Sequence, residues 1–300
     1  GVGLPVIQVI EIHFEPRGLV SRGVRLLLGP CNGASMRPGV VHMFRNLRIV
    51  LLCALVLVLG GRIAAQPLPT DPDIVSGELE NGLKYMVQRH SLPAGRATIW
   101  MHMHTGSLNE TDKQRGIAHY LEHMAFNGSK NFPPGTVVPF FQSLGMTFGR
   151  DQNAFTSFDQ TTFQLSLPKA DPDTIGKGLM FFSDVLYQLA LTPAEIDAER
   201  GIIQEERRRS LSGRQRTSDY VMGRLTPGSL YGQRLTIGLE ETIGSVKEAD
   251  FHDYYGKWYA ASNATLMVVA DAEPADVIKA IKAKFGDAPK RPRPTPQALN

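Results

Sequence analysis

From residue 83 onward the chain switches repeatedly between a period-two and a helical hydrophobic pattern, without strict alternation of strand and helix. That order points to an α+β fold, a mixed or antiparallel sheet packed with helices, rather than to a doubly wound parallel sheet. A polar, proline-bearing lead from Pro67 to Pro72 gives way to the turn signal Glu80-Asn81-Gly82. Strands are expected at 83–88, 97–104 and 266–270, and the stretch 154–167 alternates with Phe155, Phe158, Phe163, Leu165 and Leu167. Helices are expected at 116–126, 137–144, 173–189, 193–209, 250–259 and 274–285, and 213–238 reads as looser. The helix at 193 has Thr192 as N-cap, Pro193 in its first position and Glu195 in its first turn. Residues 289–300 carry four prolines and read as a linker.

The front of the chain has a different character. Met43-Phe44-Arg45-Asn46-Leu47-Arg48 precedes an apolar run over 49–59, followed by small residues up to Ala65. A short basic segment, an apolar core and small residues before a cut are the parts of a secretory signal peptide, expected here at 43–65. The run is well short of the roughly 20 residues that cross a bilayer, so no stable membrane span is expected once it is removed. An uncleaved anchor is the alternative. Cys53 lies inside the run rather than after it, which argues against lipid attachment. Residues 1–42 precede this leader and begin with Gly; they read as an over-extended reading frame outside the fold. The domain proper is then 66–288, in a secreted or periplasmic location.

Both cysteines, Cys31 and Cys53, fall in this front part, so the body has neither disulfides nor a thiolate metal site. The excess positive charge is there too. After residue 65 there are 25 basic and 27 acidic residues, a net charge of −2. A near-neutral body offers no electrostatic footprint for nucleic acid.

The residues with most chemical content are His119-Tyr120-Leu121-Glu122-His123, in the helix expected at 116–126. Four residues apart on a helix is an offset of about 40°, so the two imidazoles share a face, and Glu122 lies about 60° to the other side of His119. Two neutral imidazoles suit zinc, which needs a third protein ligand and an open position for water. A carboxylate beside that water can take its proton. The third ligand must come from elsewhere. The acidic helix 193–209 offers Glu195, Glu199, Glu205 and Glu206; Glu199 and Glu206, two turns apart, share a face. Taken alone, those acids read more readily as partners of Arg200, Arg207, Arg208 and Arg209 on a solvated surface, as charge runs usually are.

Together these stretches resemble the pitrilysin/insulysin family of zinc metallopeptidases, which includes mitochondrial processing peptidase. The resemblance rests on Glu80-Asn81-Gly82-Leu83, Thr105-Gly106-Ser107-Leu108-Asn109-Glu110, Gly116 through Phe126 with the inverted motif H-x-x-E-H, Asn153-Ala154-Phe155-Thr156-Ser157, Glu199-Arg200-Gly201-Ile202-Ile203, and Trp258-Tyr259 with Asn263. It covers roughly residues 77–290 and implies the amino-terminal half of a clamshell-shaped peptidase. It further implies that His119, His123 and Glu206 bind Zn²⁺, that Glu122 is the base and Glu199 a supporting acid, and that Asn153 and Ala154 bind substrate backbone by strand addition. Glu205 is the rival ligand, about 100° from Glu206 around the helix. The spacing from His123 is somewhat longer than in many relatives. The expected function is zinc-dependent endopeptidase on unfolded or short peptides, needing a second half or subunit beyond the 289–300 linker for full activity. The alternative is a non-catalytic binding or structural subunit of a heteromeric peptidase-like complex. His102 and His104, and the aromatic group Tyr254, Tyr255, Trp258 and Tyr259, read as ordinary sheet and packing residues.

Overall fold

The computed structural model describes residues 71–299; the expected reading-frame extension (1–42) and leader (43–65) lie outside the described residues. Among those described, no helix is long and apolar enough to cross a membrane.

Six strands form the sheet: β1 (Ile74–Glu78), β2 (Lys84–Arg89), β3 (Ala97–Met103), β4 (Gln152–Thr156), β5 (Thr161–Leu167) and β6 (Ala264–Ala270). Their order is β1-β2-β6-β3-β5-β4, and every pairing is antiparallel except β2 with β6. This is the mixed sheet the sequence pattern predicts. Alternation along β3 sends Ala97, Ile99, Met101 and Met103 inward, while Trp100 is exposed on the other face. The turn between β1 and β2 uses Gly82 at φ 92°, and Asn81 braces it by accepting from Leu83 N at 3.1 Å.

Among the described residues there are eight α-helices, in chain order α1 (Ile117–Asn127), α2 (Val137–Ser143), α3 (Pro172–Tyr187), α4 (Pro193–Ser210), α5 (Gly213–Leu225), α6 (Glu240–Ser245), α7 (Glu248–Trp258) and α8 (Pro274–Phe285). α3 and α8 pack on each other and on the inward sheet face. Gly178 lets α3 approach closely, since a Cβ there would lie 3.1 Å from both Ile99 and Leu167. α1 lies over the same face, with Phe126 against Phe163 of β5 and Phe181 of α3. The aromatics of α7 are core, as expected: Tyr254, Trp258 and the following Tyr259 are buried.

Three elements, β1, α5 and α6, go beyond the sequence expectation. The stretch 213–238 is not loose throughout but begins with α5, capped by Ser212 accepting from Gln215 N at 3.2 Å. α5 buries none of its residues, so it has no apolar stripe for a pattern to reveal. β1 is an edge strand with four exposed residues of five, which erases its alternation. The alternating, β-rich segment at 154–167 is a hairpin, β4 and β5.

Candidate metal centre

α1 is anchored at its start by a side chain buried beneath it. Both oxygens of Glu110 accept backbone N–H groups, from Gly116 and Ala118, each at 2.9 Å. These are orphan donors of the first helical turn, where a carboxylate also meets the favourable end of the helix dipole. Burial pushes the Glu110 carboxyl up to about 8, against the pull of those two donors, Arg234 and Arg115. Arg234 is buried as well and donates from Nε to the Glu110 carbonyl at 3.0 Å. The turn at 235–238 then touches the start of α1 backbone to backbone, glycine on glycine: a Cβ on Gly238 would sit 2.5 Å from Gly116 Cα. The Tyr120 hydroxyl donates to the Ile196 carbonyl and so docks α1 on α4.

These anchors set the α1 face bearing His119 and His123 against α4. In α4 the buried residues are Ile196, Glu199 and Ile203, a helical stripe that continues to Glu206. Glu206 reaches both imidazoles: Oε1 is 3.6 Å from His119 Nε2 and Oε2 is 3.4 Å from His123 Nε2. Two ligands of a tetrahedral zinc ion at about 2.0–2.1 Å stand about 3.3 Å apart, so this donor set fits such an ion. One donor atom from each of the three residues lies within 4.8 Å of the others. Glu205, the rival, pairs instead with Arg208 at 2.8 Å and Arg209 at 2.9 Å.

The other acids stand around this group. Glu199 Oε1 is 2.9 Å from His123 Nδ1, and Asn127 donates to Glu199 Oε2 at 2.7 Å. A carboxylate only accepts, so His123 carries its proton on Nδ1 and presents the Nε2 lone pair towards Glu206. Glu122 is buried, with Oε2 accepting from Thr156 Oγ1 at 2.6 Å. Burial raises the Glu122 carboxyl, against the Thr156 hydrogen bond. Burial, with His123 alongside, pulls His119 down to about 4 and leaves it neutral at pH 7. For His123 burial pulls the same way, but the Glu199 hydrogen bond and the charges of Glu122, Glu199 and Glu206 outweigh it and raise the value. Glu199 is lowered: its burial penalty is exceeded by the His123 and Asn127 hydrogen bonds.

The group opens into a cleft of about 670 Å³ whose lining includes Phe126, Phe148, Ala154, Ile202 and Ile237. Asn153 and Ala154 lie on β4, the last strand in the sheet order; among the described residues no further strand pairs with its outer side, where Phe148 bridges to Gln152. The Asn153 side chain donates to the Gly149 carbonyl at 3.1 Å and accepts from Ala154 N at 2.9 Å, a local hook. His102 and His104 lie apart from this site and hydrogen-bond to Thr162 at 2.9 Å and Thr265 at 3.0 Å. Sequence reasoning missed Asn127 and Thr156 as partners of the centre; the stripe Ile196-Glu199-Ile203-Glu206 was the available signal for which acids face inward.

The chain matches the description Insulinase (Peptidase family M16) over residues 85–223 and Peptidase M16 inactive domain over 245–300. It is 37% identical over 247 residues to the probable zinc protease PqqL of Escherichia coli K12. The chain belongs to the insulinase family, peptidase family M16. A zinc protease PQQL-like protein of Arabidopsis thaliana is 35% identical over 214 residues, 70% of this chain and 22% of that protein. Among solved structures, the first half of the E. coli periplasmic protease PqqL matches at TM-score 0.74 and 35% identity, over 78% of this chain and 50% of that one. This M16 chain is thus similar to part of longer proteins: the match to E. coli PqqL takes up 82% of this chain and 26% of the relative.

Proposed function

We propose that this chain carries the metal-binding part of a zinc-dependent endopeptidase, with His119, His123 and Glu206 as ligands and Glu122 as general base. The observation that carries this reading is the meeting of two imidazoles and one carboxylate at ion-binding separation, 3.4 and 3.6 Å, in an open cleft. Zinc bound there supplies a Lewis acid for the scissile carbonyl and brings the pKa of its water towards ~7. Glu122, held at one oxygen by Thr156, keeps the other free to take the proton of the attacking water and deliver it to the leaving amine. Glu199 acts through His123 as its positioning acid. β4 ends the sheet order, and an extended peptide that displaces the Asn153 side chain from Ala154 N would add there as a further strand, which favours unfolded or short substrates.

The names of the relatives support this reading, since PqqL is called a periplasmic protease and is described as having a first half. A second half or subunit completing the site, and a periplasmic or secreted location, are part of the proposal. Against a purely structural subunit stands the complete set of His119, His123, Glu206 and Glu122 in one place.

Metal analysis of variants tests the assignment. Glu122→Gln keeps zinc and lowers hydrolysis by about 10²–10⁴-fold, the usual worth of a general base. His119→Ala and Glu206→Ala lose the zinc. Equal zinc binding by a variant lacking both histidines would sink the reading, and indifference of hydrolysis to Glu122→Gln would return the chain to the structural-subunit alternative.

A further inference from the structure

Asn127 is the last residue of α1 and follows His119 and His123 at two successive four-residue steps, so all three side chains share one helix face. Its amide nitrogen donates to Glu199 Oε2 at 2.7 Å, while Glu199 Oε1 receives His123 Nδ1 at 2.9 Å. The assignment of nitrogen over oxygen follows from the partner, because an ionised carboxylate only accepts. Glu199 is therefore held at both oxygens. The terminal torsion of a free glutamate is broad, and a carboxylate gripped at one oxygen can swing its other oxygen away. With both oxygens gripped, that swing is closed off and the ring of His123 has one orientation. His119 has no equivalent: its Nδ1 is buried and finds no partner among the described residues. The two histidines are thus held unequally, one by packing and one by a three-member chain ending at Asn127.

We propose that Asn127 is a positioning residue of this centre, which by holding the second oxygen of Glu199 fixes the His123 ring with Nε2 presented to the metal. This rests on the metal-centre reading above. The competing account is purely architectural: Asn127 ends α1 just before Gly128 at φ 157° and supplies only the right shape there. The two accounts separate on substitution by aspartate. Asn127→Asp has nearly the same shape but replaces the donating nitrogen with an oxygen and sets carboxylate against carboxylate.

The test is zinc affinity of the full chain, by competition with a chelating dye, for wild type, Asn127→Asp, Asn127→Ala, Glu199→Ala, the Asn127→Ala/Glu199→Ala double variant and His119→Ala. Changes to outer partners of metal ligands weaken binding by about 10–100-fold, and Asn127 stands one bond further out, so about tenfold is expected for both single Asn127 variants. The metal-free Asn127→Asp variant should stay folded by circular dichroism and melt somewhat below wild type, since it loses a hydrogen bond and sets two carboxylates together. In the absence of Glu199 the Asn127→Ala change should cost nothing further, since partners in one chain do not act additively. Wild-type affinity in Asn127→Asp, or the same tenfold loss whether or not Glu199 is present, overturns the proposal. Failure of the wider reading looks different: the wild-type chain would bind no zinc, or His119→Ala would bind it as tightly, and the positioning role would fall with it.

Discussion

At the scale of single residues, the two histidines of the motif are chemically unequal. His119 is drawn down to about 4, chiefly by burial, whereas His123 is raised because its acidic neighbours outweigh its burial. A metal needs both rings neutral at the coordinating nitrogen, so binding must displace whatever proton each carries. As pH falls, His123 protonates first, and zinc affinity should drop about tenfold per pH unit for that one proton. A steeper, two-proton dependence should begin only near the His119 value of about 4. Zinc titrations across pH check this. A two-proton slope already at neutral pH would contradict the inequality of the two rings.

At the scale of elements, the face with His119 and His123 depends on how α1 is seated, and two glycines show where the tolerance ends. Gly238, at φ 73°, lies so close to the start of α1 that an added Cβ would be 2.5 Å from Gly116 Cα and 2.6 Å from the Arg115 carbonyl. Backbone atoms cannot give way as a flexible side chain can. Gly238→Ala should therefore destabilise by about 2–4 kcal/mol, combining left-handed strain with overpacking. Gly201, in the exposed middle of α4, has nothing within 4 Å of such a Cβ. Gly201→Ala should instead stabilise by about 0.5–1 kcal/mol through helix propensity. Thermal unfolding of the two variants should move in opposite directions. A fall for both would mean that α4 is held by something other than the contacts described.

At the scale of the whole molecule, the cleft is open and one face of the sheet, with Met86, Trp100 and Val269 exposed, lacks a covering layer among the described residues. The aligned part of E. coli PqqL is about a quarter of that protein. On the proposed function, groups that grip substrate and steady the developing oxyanion come from the remaining portion. The chain by itself should then bind zinc but hydrolyse unfolded peptides at least ~10²-fold more slowly than a full-length relative, the worth of one lost oxyanion donor. Equal turnover by the isolated chain would show that the site is complete within it.

Local pattern was enough for much of this protein. One-sided burial leaves a period in the residues, which is why β3, α1, α4 and α8 are legible as elements and why His119 and His123 are seen to share a face. Elements without a buried stripe, β1 and α5, leave no period and were not legible. That Glu206 rather than Glu205 stands at the imidazoles, which the resemblance implied but the helix pattern left open, belongs to the tertiary structure, as do the grip of Thr156 on Glu122 and that of Asn127 on Glu199. Each is a short polar contact between groups 34 to 83 residues apart in the chain. Such contacts depend on which faces the folded core brings together, and the periodicity of either segment alone carries no record of its partner.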